Sequence, residues 1–242
     1  FKLMAFLTLV IPCFNEADNL PTLIRKCEKA FENEDVEVIL VNNGSNDNSE
    51  RIMREQIRLK EKIKFLTLEK NNGYGEGILS GLKQSNSKFI GWSHADLQTN
   101  PSDCLLAEDN LEKLDKECFY KGKRYGRRFS DLIFTFGMTL FESMVLRKVL
   151  WDINAQPNLM SKEFFSSLED PPKDFSFDLY AYYFAKKSGL KIKRFPVHFG
   201  KRLAGEAHLS NFFDKIKYSY RTLVFSVKLM IKLSLKKNKF NV

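Results

Sequence analysis

His94, Asp96 and Gln98 occupy alternate positions in SHADLQTNP (93–101), directly after the apolar run Phe89-Ile90-Gly91-Trp92. On an extended segment alternate side chains point the same way, so all three could face one metal ion. Asp96 supplies the carboxylate that hard cations prefer, and Gln98 a carbonyl oxygen. His94 is the odd member, because imidazole suits softer cations better.

Three more polar loops follow apolar runs in the same manner: PCFNEADN (12–19), NNGSNDNS (42–49) and NNGYGEG (71–77). Asn15 and Glu16 could hydrogen-bond a ribose or base, with Pro12 fixing the turn; the same residues would also suit a plain helix N-terminus, where acids complement the dipole. Asn and Gly tolerate positive φ, so the loop around Asn43 could be only a turn.

The elements that must position these loops are short apolar runs of β type at 6–11, 36–41, 63–68 and 89–92, each followed by a polar turn and a helical pattern. Helices are expected at 20–31, 49–59 and 75–84, with Ser45 and Asp47 as candidate caps of the second. Strand, turn and helix in repetition predict a parallel α/β sheet with right-handed crossovers. In such a sheet ligands bind beyond the carboxyl ends of the strands, where these four loops converge.

Composition sets the outer limits. The chain has 242 residues, 43% hydrophobic and including 22 Phe, enough for one well-cored domain. Cys13, Cys27, Cys104 and Cys118 are widely spaced and read as ordinary thiols of a reducing compartment, so a cytosolic location is expected. The apolar start lacks a signal-peptide cleavage pattern and reads as a first strand. The chain begins at Phe1 instead of Met, so a few residues, or a tag, are expected to be missing.

Taken together, LVIPCFNEADNL, ILVNNGSNDNS and NNGYGEGILSGLKQSNSKFIGWSHADLQTNP resemble, in order and spacing, the family 2 glycosyltransferases of the GT-A fold, over roughly residues 5 to 105. That resemblance implies an α/β, Rossmann-like domain using a nucleotide-sugar donor and Mg²⁺ or Mn²⁺ held against the donor diphosphate. It places the metal at His94-Ala95-Asp96, with Asp96 as ligand and His94 either a ligand or touching the ribose or a bound water; Gln98 joins the expected ligands from the alternation alone. Pro12, Asn15, Glu16, Asn43, Gly73 and His94 fall to the donor nucleotide. Two departures stand out: His94-Ala95-Asp96 replaces D-x-D, and Asn43 stands where the family carries an acid. Asn43 still offers an amide oxygen to a nucleobase N–H, but the lower negative charge predicts weaker metal affinity.

The second half bears on the acceptor. FYKGKRYGRRFSD (119–131) places Lys121, Lys123, Arg124, Arg127 and Arg128 just after an apparent strand at 118–120. A solvated basic loop is the plain reading; arginine forks, however, match phosphate oxygens. WDINAQPNLMSKEFF, FSFDLYAYYFAKKSGLKIKRFPVHFGKR and GEAHLS are similar to the polyprenyl-phosphate sugar transferases. The resemblance assigns Arg124, the arginine of Gly122-Lys123-Arg124, to the acceptor phosphate and has Arg202 and the 205–210 segment close over the donor diphosphate; Arg127 and Arg128 of the same basic run are expected to join Arg124 there. Asp96, Arg124 and Arg202 would then carry an inverting transfer, a phosphate anion needing no base. With a saccharide hydroxyl acceptor, the alternative, Asp178 is the nominated base or else only a helix-initiating acid. A non-catalytic nucleotide-sugar-binding relative is the third reading. His208 is left between a metal site and a hydrogen bond, and His198 reads as structural.

From Asn211 onward eight basic residues face one acid, so seven of the nine net positive charges lie there. Phe212, Ile216, Tyr220, Val224, Val227, Ile231 and Leu235 alternate with lysines at helical spacing, the pattern of a helix in a membrane interface. A division is therefore expected between a GT-A domain (1–210) and a basic amphipathic tail (211–242) attached peripherally to the inner face of an anionic membrane. The expected partners are a UDP-sugar, with a GDP-sugar second, and a polyprenyl phosphate. Nucleic acid is not expected, because the charge lies on this tail and not in an aromatic-studded groove. The helical stretch 129–146 is open between core, protein interface and membrane contact.

Overall fold

The computed structural model describes residues 4–127, 129–202 and 212–239. Strands β1 (Leu7–Cys13), β2 (Val36–Asn43), β3 (Ile63–Leu68) and β4 (Phe89–Trp92) alternate with helices α1 (Leu20–Phe31), α2 (Ser49–Ile57) and α3 (Tyr74–Gln84). Each predicted run is present to within two residues. α2 ends at Ile57, two residues early, and Leu59 beyond it is 92% exposed, so the helical spacing lost its apolar contact there.

The helices form for legible reasons. In α1, Leu20, Leu23, Ile24, Cys27 and Phe31 recur at helical spacing on one buried stripe, and Pro21 sits in the first turn, where its missing N–H costs nothing. In α3, Ile78, Leu79 and Leu82 do the same against the other sheet face.

β5 (Cys118–Tyr125), β6 (Asn158–Ser161) and β7 (Lys191–His198) complete one seven-stranded sheet in the order β3-β2-β1-β4-β6-β5-β7. β1 to β4 run parallel, with Leu7 opposite both Val36 and Phe89; β6 alone runs antiparallel, pairing Trp92 with Asn158 and Tyr120 with Leu159. β5 is five residues longer than expected. Lys121, Lys123 and Arg124 therefore lie on a strand, not in a loop after it.

Helices cover both faces. α1 and α2 pack on Leu9, Ile11 and Leu40, whereas α3 and α6 (Phe177–Lys187) pack on Val10, Val41, Trp92 and Phe119. α4 (Phe129–Leu146), the short α5 (Lys162–Ser166) and α7 (Phe212–Lys239) complete the second layer. Leu229 of α7 is buried in that layer, with Phe225 and Leu233 beside it, so the expected tail is docked along one side and packs against α4. No helix among the described residues is long and apolar enough to cross a membrane.

Candidate active site

The loops after β1 and β2 are knitted into one unit by short polar side chains. Asn15, at φ 55°, donates its N–H to Ser45 Oγ at 3.0 Å, and its Oδ1 accepts from the Asn46 N–H at 3.0 Å. Asp47 accepts from the N–H groups of Ala17 (3.1 Å) and Ser49 (2.9 Å). Burial alone would raise the Asp47 carboxyl, but these hydrogen bonds prevail and hold it below the ordinary carboxylate value. Much of what sequence assigned to the nucleotide in Asn15 is thus spent holding loop to loop.

Asn43 donates through Nδ2 to the Gly73 carbonyl at 3.0 Å, while its Oδ1 is buried without a hydrogen-bond partner. An orphaned buried acceptor costs about 1–3 kcal/mol, so an incoming N–H donor would find a waiting oxygen. Gly73 itself sits at φ 118°, and a Cβ there would come within 2.4 Å of the Lys173 carbonyl oxygen. Only glycine fits, so its part is to let the third loop pass under the segment before α6. Pro12 borders the same place, its Cβ 3.1 Å from where a side chain on Gly77 would begin.

At the end of β4 the chain does not stay extended. Residues 95–99 bend, Leu97 takes φ 59°, and Asp96 Oδ1 accepts from the Gln98 N–H at 3.1 Å. The alternation argument for three side chains facing one ion therefore fails. Gln98 instead donates through Nε2 to the Gly200 carbonyl at 3.1 Å, and its backbone carbonyl accepts the Gly200 N–H at 2.8 Å, pinning the segment before Arg202. His94 stacks on Tyr74 at 6.0 Å between ring centroids, and Tyr74 stacks on Phe175 at 4.9 Å. The sequence reading did not single out Tyr74.

Arg202 closes this end of the site. It hydrogen-bonds Glu16 and lies 4.0 Å from Asp96 Oδ2, so one guanidinium bridges the loops after β1 and β4. Glu16 is held from its other oxygen by Asn19 Nδ2 at 2.5 Å. Among the described residues no group of three His, Cys, Asp or Glu could hold a metal by itself. The donor set instead fits a cation whose remaining ligands are phosphate oxygens and water, since Mg²⁺-type sites commonly use one or two protein carboxylates.

Asp178 lies in the first turn of α6 and is 3% exposed. It accepts from Trp92 Nε1 (2.8 Å), Asn158 Nδ2 (3.1 Å) and Gln156 Nε2 (3.4 Å), and Gln156 Nε2 also donates to the Tyr74 hydroxyl. Burial, then the charge of Asp178, pushes the Tyr74 phenol well above its usual value, so Tyr74 stays neutral. Behind it Lys121 Nζ donates to the carbonyls of Ile153 (2.6 Å) and Ala155 (2.7 Å) and to Asn158 Oδ1 (2.9 Å). Burial lowers its pKa to about 7. The cation expected near the substrate is a buried strut.

The other cations converge on one carboxylate. Asp152, at φ 49° and 3% exposed, accepts both Arg124 Nε (3.1 and 3.3 Å) and Arg124 Nη2; Arg127 lies at 3.5 Å and Arg194 at 3.8 Å. Burial would raise the Asp152 carboxyl, yet Arg124, Lys121 and Arg127 together hold it below normal. Arg124 and Arg127 also sit over the Phe199 ring at 5.2 and 5.9 Å. Three guanidiniums to one carboxylate leave an excess of positive charge, suited to a further anion. Asp152 and Arg194 were not singled out in the sequence. The signal was that Asp152 is the one acid in a stretch following Arg147 and Lys148. Lys123 is exposed on β5, and His198, also exposed, ends β7 with its ring 5.4 Å from that of Tyr125. Arg128 and His208 lie outside the described residues, as does 205–210.

The sequence model of Glycosyl transferase family 2 matches residues 8–132, just over half of the chain. The chain belongs to that family. Among curated proteins, the undecaprenyl-phosphate 4-deoxy-4-formamido-L-arabinose transferases of Proteus mirabilis (strain HI4320) and Pseudomonas fluorescens (strain Pf0-1) are similar to it. The first is 29% identical over 106 residues, 43% of this chain and 32% of that one; the second is 34% identical over 107 residues, 42% and 31%. The match spans about a third of the length of these relatives. Among solved structures, glucosyl-3-phosphoglycerate synthase from Mycobacterium tuberculosis, in complex with Mn²⁺, uridine diphosphate and phosphoglyceric acid, superposes with a TM-score of 0.69 at 16% identity, covering 93% of this chain and 78% of that one. A mannosyltransferase from Pyrobaculum calidifontis, in complex with GDP-Man and Mn²⁺, superposes at 0.62 and 12% identity, covering 96% and 74%. The fold is thus the GT-A one, and in this glycosyltransferase-family chain the four loops follow the carboxyl ends of the parallel strands β1 to β4.

Proposed function

We propose that this protein transfers a sugar from a nucleotide-sugar to a polyprenyl phosphate at a membrane surface, with inversion at the anomeric carbon. The observation that carries the acceptor is the surplus of guanidinium around Asp152: Arg124, Arg127 and Arg194 share one carboxylate. A phosphate monoester would engage the same forks bidentately. The curated relatives named for undecaprenyl phosphate support this choice.

On the donor side, Asn43 Oδ1 meets a nucleobase N–H, and Arg202, held by Glu16, presents its charge to the diphosphate. Asp96 would hold Mg²⁺ or Mn²⁺, which supplies charge stabilisation for the departing diphosphate. His94, braced by Tyr74, lines the wall beside it. The arginines hold the acceptor phosphate in line with the anomeric carbon; already an anion near neutral pH, it needs no proton removed. Asp178 does not favour the hydroxyl-acceptor reading, because its oxygens are occupied by three side-chain donors beneath the surface.

Release of nucleotide diphosphate from UDP-, GDP- and CDP-sugars, with and without a short polyprenyl phosphate and with Mn²⁺ or EDTA, tests this. Turnover that needs both lipid phosphate and metal is expected. Donor binding with no turnover on any lipid phosphate would overturn the acceptor.

A further inference from the structure

α4 is built the wrong way round for a surface helix. Its inward side carries polar groups: Thr135 meets Arg127 Nη2 at 2.9 Å, Thr139 is buried, and Glu142, fully buried, accepts from Ser226 of α7. Its outward side carries Leu132, Phe136, Leu140 and Met144, one residue per turn, at 42, 57, 50 and 63% exposure. A solvated helix shows the reverse pattern. The apolar surface continues past the helix into Val149, 72% exposed, and Trp151, whose ring meets Phe136 edge-on at 6.3 Å.

Two neighbours say what covers it. α7, packed along α4, turns Tyr220, Val227, Ile231 and Leu235 outward together with Arg221, Lys228 and Lys232. Arg147 and Lys148 are exposed at the end of α4. Among the described side chains of both helices the one carboxylate is the buried Glu142; outside them, Asp170 meets Lys232 at 3.1 Å. An apolar stripe fringed by cations is complementary to an anionic bilayer, where apolar groups enter the acyl boundary and cations stay among the headgroups. A second copy of the chain would bring like charges together. The same surface also leads to the arginines: Trp151 precedes Asp152, and its carbonyl accepts from Arg194 Nη1 at 2.9 Å.

We propose that the outward face of α4, with Val149 and Trp151, lies in the surface of an anionic membrane, with the α7 cations beside it at headgroup level. This rests on the reading of the acceptor as lipid-linked, because it brings the arginine cluster to the level of a membrane-borne phosphate. The sequence placed a membrane contact on the tail and left 129–146 open; the outward face of α4 joins the exposed apolar residues of α7 in that contact.

The experiment is flotation with phosphatidylcholine vesicles containing none or about a third phosphatidylglycerol, for the wild type, Leu140→Glu/Met144→Glu and Lys228→Gln/Lys232→Gln. Donor nucleotide binding, read by thermal shift, reports that each variant is folded, and turnover on a short, water-soluble prenyl phosphate reads the proposed reaction separately. The expected result is wild-type binding to anionic vesicles, weakened roughly tenfold or more in the α4 variant at any salt, and weakened less and only at low salt in the α7 variant. Equal binding by the α4 variant and the wild type, no wild-type binding, or a wild-type dimer that the α4 variant dissolves would each overturn the proposal. Failure of vesicle binding with turnover intact removes this surface alone. Vesicle binding without turnover removes the proposed reaction and leaves the surface in place.

Discussion

The two halves of the sheet solve opposite electrostatic problems. At the ends of β1, β2 and β4, two carboxylates, Glu16 and Asp96, share one guanidinium, Arg202, while a third, Asp47, is taken up by the backbone N–H groups of Ala17 and Ser49. Around β5 and β7 three guanidiniums share one carboxylate, Asp152. The first arrangement suits a cation with phosphate ligands, and the second a bare anion. An enzyme that moves a sugar from a metal-bound nucleotide diphosphate to an anionic acceptor, as proposed, would need both: one site for the departing diphosphate and another for the attacking anion.

The contrast can be broken first at Asp96. Asp96→Ala is expected to lower kcat by roughly a thousandfold or more, because electrostatic stabilisation of the leaving group is the main contribution available here. Lipid-phosphate affinity should change little, which acceptor titration against the variant measures. On the other side, Asp152→Ala leaves three part-buried arginines without their carboxylate. The cost of breaking such a cluster is about 3–5 kcal/mol, visible as a lowered melting temperature that donor nucleotide does not restore.

A finer cut is Arg124→Lys, which keeps the charge and loses the fork. Charged hydrogen bonds contribute about 1.5–3 kcal/mol each, so KM for lipid phosphate should rise about tenfold or more while donor Kd stays put. Equal effects on donor and acceptor would collapse the distinction between the halves.

How much of this could be read from residues alone differs between the halves for a physical reason. On the donor side each strand feeds its own loop, so PCFNEADN, NNGSNDNS and SHADLQTNP report their position locally. What failed there was conformational detail: Leu97 turns to positive φ and ends the alternation that placed His94, Asp96 and Gln98 on one face. On the acceptor side the partners are distant in sequence. Arg124 meets Asp152 across 28 residues, and β6 is a four-residue antiparallel insertion with no period long enough to notice. Lys121 sits in a run that reads as a basic loop, yet its strand points it inward to three oxygens. The tail's spacing gave the helix correctly but could not say which side the domain would cover.

The smallest expected effect lies between α4 and α7. Burial raises the Glu142 carboxyl to about 7, with the Ser226 hydrogen bond pulling the other way. A carboxyl raised in the fold contributes stability below its unfolded value near 4.5, and loses it as pH rises through about 7. The wild-type melting temperature should therefore fall between pH 5 and 8. In Glu142→Gln that slope should flatten, and an unchanged slope would place the titrating group elsewhere.

The central claim is that the acceptor is recognised as an anion. It is tested most directly by comparing sugar transfer to a short polyprenyl phosphate and to the corresponding polyprenol, with the same donor, metal and enzyme. Transfer to the phosphate alone is the predicted result. Transfer to the alcohol, or to a saccharide hydroxyl, at a comparable rate would contradict it and return Asp178 to consideration as a base.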